Sequence, residues 1–173
     1  EVIRRLAEMP AAPDFRVFFD HAYCVHDLDP ARPDTLPNLY ETFARAGNPD
    51  RALLFTSFSK ITFPGGGMAA MAGSPRNIAR QAALARYQLV NHDTMNQLRH
   101  TRLFPDLAHV RAHMARHAAL LRPKFALVLD ALEKELPGVG RFDAPRGGYF
   151  ICYEAPAGCA RRVVQLCADA GVT

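Results

Sequence analysis

Two short apolar runs limit what this chain can become. Phe15-Arg16-Val17-Phe18-Phe19 and Ala52-Leu53-Leu54-Phe55-Thr56 are rich in aromatic, aliphatic and β-branched residues and are bounded by turn formers. Runs of that length and composition predict buried strands. Between them lie a Pro- and Asp-rich loop from Asp27 to Pro37 and a short helix over Leu39–Ala46, closed by Gly47 as its C′ residue. Strands alternating with helices predict an α/β domain with a mostly parallel sheet. A third strand is expected over Met68–Ala72.

Helices dominate the rest. Glu1–Met9 reads as the tail of an amphipathic helix, with Val2, Ile3 and Leu6 on one side. Ser74-Pro75 is an N-cap followed by proline at N1, opening a helix to about Asn91. Asp93 caps another, to about His100. Pro105 opens a long helix to about Leu136, with Val110, Met114, Leu121, Phe125, Val128 and Leu132 on one face and Pro123 expected to kink it. A strand over Gly148–Tyr153 and a helix over Ala160–Ala170 follow. The domain division is placed at Pro123, residues 1–122 against 123–173. The opening Glu-Val-Ile-Arg-Arg-Leu reads as the middle of a helix, and Ala-Asp-Ala-Gly-Val-Thr stops where another strand is expected, so both ends suggest a piece of a longer chain.

Composition removes several classes of function. The net charge of +4 is spread along the chain and not gathered into a basic patch, which argues against nucleic acid as a partner. No run reaches the roughly 18 apolar residues of a membrane span, and the first residues are not a secretory signal. Cys24, Cys152, Cys159 and Cys167 form no C-x-x-C pair; they read as small buried residues of a protein kept in a reducing cytoplasm.

In open parallel sheets, ligands bind beyond the carboxyl ends of the strands. Asp20 follows the first strand there and Lys60 closely follows the second, in Ser57-Phe58-Ser59-Lys60. Then comes Pro64-Gly65-Gly66-Gly67. Three successive glycines are costly in a helix and mark a tight loop that can approach a ligand.

These residues also carry a resemblance. Asp20-His21-Ala22-Tyr23 resembles the D-x-A-Y motif, and Ser57-Phe58-Ser59-Lys60 the S-x-S-K motif, of fold type I aspartate aminotransferases, which depend on pyridoxal 5′-phosphate. The order and the separation of Asp20 from Lys60 match the family. Residues 20–26, residues 59–67 and Met95-Asn96-Gln97-Leu98-Arg99-His100 look closest to a divergent branch that is similar to the effector domain of MocR-type regulators. Pro145-Arg146-Gly147-Gly148-Tyr149-Phe150 resembles the entry to the small domain. The resemblance spans nearly the whole chain. It implies residues 1–122 as part of the large cofactor-binding domain and 123–173 as the start of the small one.

The resemblance implies a role for each residue. Lys60 would hold the cofactor as a Schiff base and, once freed by substrate, move the α-proton. Asp20 would keep the pyridine nitrogen protonated. Tyr23 would donate to the phenolic oxygen, and Ser57, with Ser59 assisting, would bind the phosphate. It implies a homodimeric enzyme moving an amino group between an amino acid, aspartate by the branch resemblance, and a 2-oxo acid such as 2-oxoglutarate. One position departs. Many relatives carry an arginine on the phosphate eight residues after the lysine, where this chain has Met68. Backbone N–H groups of Gly65–Gly67, or an arginine from elsewhere, would take its place. The family's ring-stacking aromatic and substrate-carboxylate arginine fall outside this sequence, so this chain alone is expected to be inactive.

Other readings stay open. An aminotransferase-like sensor domain of a MocR-type regulator, a β-eliminating enzyme on the same cofactor, and a non-catalytic role all fit parts of the pattern. His109, His113 and His117 lie four apart on a helix, a spacing that can bind metal, but no H-E-x-x-H arrangement accompanies them and a helix stripe is the better reading, with no metal expected. The glycines are not a P-loop, since no Gly-Lys-Ser/Thr follows. Cys24 reads as packing and not as a nucleophile. Arg99 reads either as a surface residue or as an arginine reaching a partner subunit's substrate; His26 and Arg146 have no assigned role.

Overall fold

The computed structural model describes residues 1–172. Strands β1 (Val17–Asp20), β2 (Ala52–Ser57) and β3 (Ala69–Gly73) form one sheet in that order. β1 and β2 are parallel, with Val17 opposite Ala52 and Asp20 opposite Phe55. The link between them is long enough for a crossover and carries helix α2 (Leu39–Arg45). β3 runs antiparallel to β2, from Leu53 opposite Gly73 to Ser57 opposite Ala69. Residues 58–68 contain no helix to carry a parallel return. The Phe58 N–H continues the ladder to the Met68 carbonyl at 2.7 Å.

One face of the sheet makes the core. Helix α1 (Val2–Glu8) and α2 lay Ala7, Leu39 and Phe43 against Ala52, all fully buried, with Ile3, Leu6, Val17, Phe19 and Leu54 packed around them. α2 starts with a reciprocal cap: the Asn38 side chain accepts from the Glu41 N–H at 3.2 Å and donates to Glu41 Oε1 at 3.1 Å. It ends in a Schellman turn, with Gly47 at φ 75° and the Asn48 N–H bonded to the Phe43 carbonyl at 2.9 Å. Asn48 Nδ2 then donates to the Ala7 carbonyl at 2.9 Å, which ties the end of α1 to the end of α2. On the other sheet face Phe18 stacks on Phe55 at 5.6 Å, but Phe18 is 70% exposed. The expectation of a strand buried on both faces is thus met on one: alternate residues of a strand point to opposite sides, and among the described residues only one side of β1 is covered.

Helices α3 (Pro75–Gln88) and α4 (Thr94–Leu103) start at the expected caps, Ser74 and Asp93, whose side chains accept from Asn77 N–H and Asn96 N–H. Ser74 is buried, and its hydroxyl donates to Asp50 Oδ1 at 2.5 Å, while Asn77 Nδ2 donates to the Asp50 carbonyl at 2.8 Å. The Ser74 hydroxyl, helped by Arg76, holds the Asp50 carboxyl below its usual range.

The described residues form two compact units: 1–25 with 35–113, and 26–34 with the chain from Met114 onward. Helix α5 (Leu107–Glu135) belongs to both, and Pro123 lies inside it without ending it. The second unit buries Leu28, Met114, Ala118 and Phe125. Its expected strand over 148–153 shrinks to β5 (Tyr153–Glu154), paired antiparallel with β4 (Arg141–Phe142), which sequence reading did not foresee. Residues 146–148 instead bond to the 26–28 loop: Leu28 N–H to the Arg146 carbonyl, Gly148 N–H to the His26 carbonyl. Gly148 then turns at φ 78° and takes the chain away from that partner. Helix α6 (Ala160–Asp169) lies where expected and has no buried residue. This corrects the reading of the cysteines as buried. All four are exposed free thiols, because the apolar neighbours of Cys159 and Cys167 lie on a helix with no covered face, and Cys24 lies in the turn after β1. Among the described residues no helix is long and apolar enough to cross a membrane.

Ser74→Ala is expected to cost about 1 kcal/mol, the usual worth of an N-cap. The part of the loss that runs through Asp50 has a definite sign. A carboxyl held below its unfolded value of 3.8 contributes stability above that pH and loses it as pH falls through the folded value. Urea titrations of wild type and variant therefore differ most well above pH 3.8, and the difference shrinks toward the N-cap's own share as pH falls below it.

Candidate functional site

The register of the parallel pair builds the site. Asp20 is the last residue of β1 and lies opposite Phe55, and Ser57 is the last residue of β2, so both chemistry-bearing segments leave the sheet at one carboxyl edge. The chain turns sharply after each. Asp20 Oδ1 accepts the Ala22 N–H at 3.1 Å, and the Cys24 N–H reaches the His21 carbonyl at 3.3 Å. This Asx turn fixes the Asp20 side chain with one oxygen and leaves Oδ2 for another donor. Tyr23 lies half-buried within the turn. The two segments are joined directly: the His21 N–H bonds to the Phe55 carbonyl at 2.7 Å, and the Thr56 hydroxyl donates to the His21 carbonyl at 3.2 Å.

After β2 the chain makes one tight turn. The N–H groups of Ile61 and Thr62 both bond to the Phe58 carbonyl at 2.9 Å. Lys60 rides on this turn with its side chain exposed, next to the buried Ile61. The Ser57 and Ser59 hydroxyls meet at 2.7 Å, giving a pair of neighbouring hydroxyls at the end of the strand. Sequence reasoning anticipated Asp20, Tyr23, Ser57, Ser59 and Lys60 as a group, and all five lie on the two turns at this edge.

The glycine loop closes against the same turn. A Cβ on Gly67 would lie 2.8 Å from the Ser59 nitrogen, too close for any side chain. Gly66 N–H is committed to the Phe63 carbonyl at 3.2 Å, so it is not spare for an anion. The Met68 carbonyl is likewise committed to the ladder with Phe58.

Some contributors were not assigned to this site from sequence. Thr56 joins the two turns. Asn96, His100 and His113 reach the segment behind Lys60: Asn96 Nδ2 donates to the Gly67 carbonyl at 3.1 Å, His100 Nε2 lies 2.9 Å from the Thr62 hydroxyl, and His113 Nε2 lies 3.0 Å from the Ile61 carbonyl. The available signal was two polar residues, Asn96 and His100, one turn apart on a helix, which is ambiguous until one sees that face buried. Arg99 lines a separate cleft of about 290 Å³ beside Phe63 and Gly66. Arg146 pairs with Asp34, and His26 is buried edge-on to Tyr149 at 5.0 Å, both within the second unit. Of the histidine stripe, His109 bonds to Asp106, His113 to Ile61, and His117 lies 3.4 Å from the Tyr149 hydroxyl. Among the described residues no three His, Cys, Asp or Glu side chains are gathered to hold a metal.

The donor set fits pyridoxal 5′-phosphate: a carboxylate for a ring N–H, two hydroxyls for phosphate oxygens, and a primary amine for an aldehyde. The close contact at Gly67 gives a check on the local geometry. Gly67→Ala is expected to cost about 1–3 kcal/mol by forcing the loop off Ser59. Gly66→Ala, whose methyl would meet only Phe63 Cβ at 3.5 Å, should stay near wild type. Thermal melts of the two variants make the comparison.

Comparison with known proteins bears on the family and the fold. The family model described as aspartate amino-transferase matches residues 1–173. A candidate aminotransferase of Mycolicibacterium smegmatis is 43% identical over 175 residues, covering 99% of this chain and 41% of that protein. The crystal structure of an aspartate transaminase from Corynebacterium glutamicum superposes with a TM-score of 0.91 at 41% identity, over 99% of this chain and 41% of that one. An alpha-aminoadipate aminotransferase from Thermus thermophilus, solved with N-(5′-phosphopyridoxyl)-L-leucine, gives 0.74 at 26% identity, over 99% of this chain and 43% of that one. The chain thus spans about two fifths of the length of the relatives it matches. With its β1–β2 edge and its turns in place, the chain belongs to the aspartate aminotransferase family and has part of the fold type I architecture of pyridoxal-phosphate-dependent aminotransferases.

Proposed function

We propose that the protein containing this chain is a pyridoxal-phosphate-dependent aminotransferase, with Lys60 as its cofactor-binding lysine. The observation that carries the reading is the placement of Asp20 and of Ser57-Phe58-Ser59-Lys60 at the carboxyl edge of two adjacent parallel strands. When bound, the cofactor supplies an aldehyde and an electron-withdrawing ring that acidifies the α C–H of an amino acid. The protein's own part is to place charges and protons. Asp20, held by its Asx turn, offers Oδ2 to the ring nitrogen and keeps a proton there. Tyr23 donates its hydroxyl hydrogen to the ring oxygen. Ser57 and Ser59, already side by side, donate to the phosphate. Lys60 Nζ would hold the aldehyde and, as a free amine, would be the base that moves the α-proton.

The amino donor is proposed to be aspartate and the acceptor a 2-oxo acid such as 2-oxoglutarate. The Corynebacterium glutamicum relative, an aspartate transaminase, supports the first. A homodimer in the cytoplasm is proposed with it, on the family resemblance.

Borohydride reduction of the purified, cofactor-loaded protein, followed by digestion and mass analysis, should find a pyridoxyl group on Lys60; an unmodified Lys60 in folded protein ends the proposal. Lys60→Ala should lower kcat by about 10³-fold or more, and Asp20→Ala by about 10²-fold while still binding cofactor, as steady-state rates would show.

A further inference from the structure

The turn that carries Lys60 is short, exposed on one side and followed by a glycine-rich loop, yet three of its carbonyls and hydroxyls are held from behind. His113, on α5, points Nε2 at the Ile61 carbonyl, the residue after Lys60, at 3.0 Å. A carbonyl only accepts, so His113 carries its proton on Nε2. His100, on α4, is 5% exposed and has both ring nitrogens engaged. Nδ1 lies 2.8 Å from the Asn96 carbonyl and must donate to it. His100 Nε2 meets the Thr62 hydroxyl at 2.9 Å. The same hydroxyl lies 3.1 Å from the Phe58 carbonyl, which already receives two N–H groups. Asn96 completes the set by holding the Gly67 carbonyl at 3.1 Å. The imidazoles are themselves wedged by aromatic rings: Phe58 stands edge-on to His100 at 5.4 Å, and Phe104 to His113 at 5.3 Å.

We infer that His113 and His100 are positioning residues that clamp the Ile61-Thr62 segment from behind and so set the reach and direction of Lys60. The inference rests on the proposed role of Lys60. The physical need is clear. An amine that must first anchor an aldehyde and then meet a proton has to be held within a fraction of an ångström, and displacements of about 1 Å cost on the order of 10²-fold in rate. The two helices behind the turn supply such a restraint through His113 and His100.

The test compares wild type, His113→Phe, His113→Gln and Thr62→Val in the full-length protein. Phe keeps the ring against Phe104 and removes the N–H, Gln returns an amide N–H at similar reach, and Val removes the hydroxyl that meets His100 and Phe58 while keeping its shape. Without cofactor, hydrogen exchange should show the Ile61 and Thr62 amides opening about 10-fold more often in His113→Phe and in Thr62→Val. With cofactor, both variants should still be labelled on Lys60 by borohydride. Their kcat should fall about 10-fold with KM for the amino acid within about 2-fold, and the pH midpoint of the bound cofactor's absorbance change should move. His113→Gln should recover most of each effect. Unchanged exchange at Ile61 and Thr62, or His113→Gln as impaired as His113→Phe, would overturn the clamp. Wild-type protein that never labels on Lys60 would instead overturn the functional reading, while the exchange data still decide whether the clamp exists.

Discussion

The parallel pairing of β1 with β2 is the constraint on which the site depends. The register that sets Val17 opposite Ala52 brings Asp20 level with Phe55, and the next residues of both strands emerge at one edge. A slip of one residue would turn Val17 and Phe19 away from the α1–α2 core and bring Phe18 into it. Hydrophobic burial on one face therefore enforces the alignment that chemistry needs at the end. The core is small, but Ala7, Leu39, Phe43 and Ala52 are fully excluded from water, and both helix ends above them are closed by Asn48 and the Gly47 turn. The sheet cannot shift without opening that corner.

Beyond the strands, the site is built mainly by satisfying backbone groups. The candidate side chains sit on turns whose own hydrogen bonds are closed: Asp20 by Ala22, the Asp20–Cys24 turn by Thr56, the Lys60 turn by the Phe58 carbonyl. Side chains from α4 and α5 then take the carbonyls these turns leave over. Polar residues buried for this purpose fix one arrangement, because any other would strand a donor or an acceptor away from water. Gly67 serves the same packing from the other side, allowing the loop to touch the Ser59 backbone.

Much of this was readable from residues alone. Caps and stops were among the clearest signals: Ser74 and Asp93 satisfy local N–H groups, and Gly47 takes a left-handed turn, all within a few residues of sequence. The strands β1 and β2 and the motif residues at their ends were equally local. The failures were non-local. The Gly148–Tyr153 run has strand composition, but it does not form one strand: residues 146–148 bond to the 26–28 loop and Tyr153–Glu154 pairs with β4, since pairing depends on which segment is alongside. The cysteines look apolar in sequence and are exposed, because burial is decided by what lies above a residue and not by its neighbours in the chain.

The sequence by itself determined the helices and the first three strands in order, the caps of α3 and α4, and the presence of an acid, two serines and a lysine at or just beyond strand ends, because these follow from local hydrogen bonding and from side-chain chemistry. Only the tertiary structure decided that β3 runs antiparallel, that Thr56 joins the two turns, and that Asn96, His100 and His113 face the Lys60 segment. Those choices depend on the direction and facing of elements far apart in the chain. A histidine on a helix carries no mark of the carbonyl it will meet until packing brings the two within 3.0 Å.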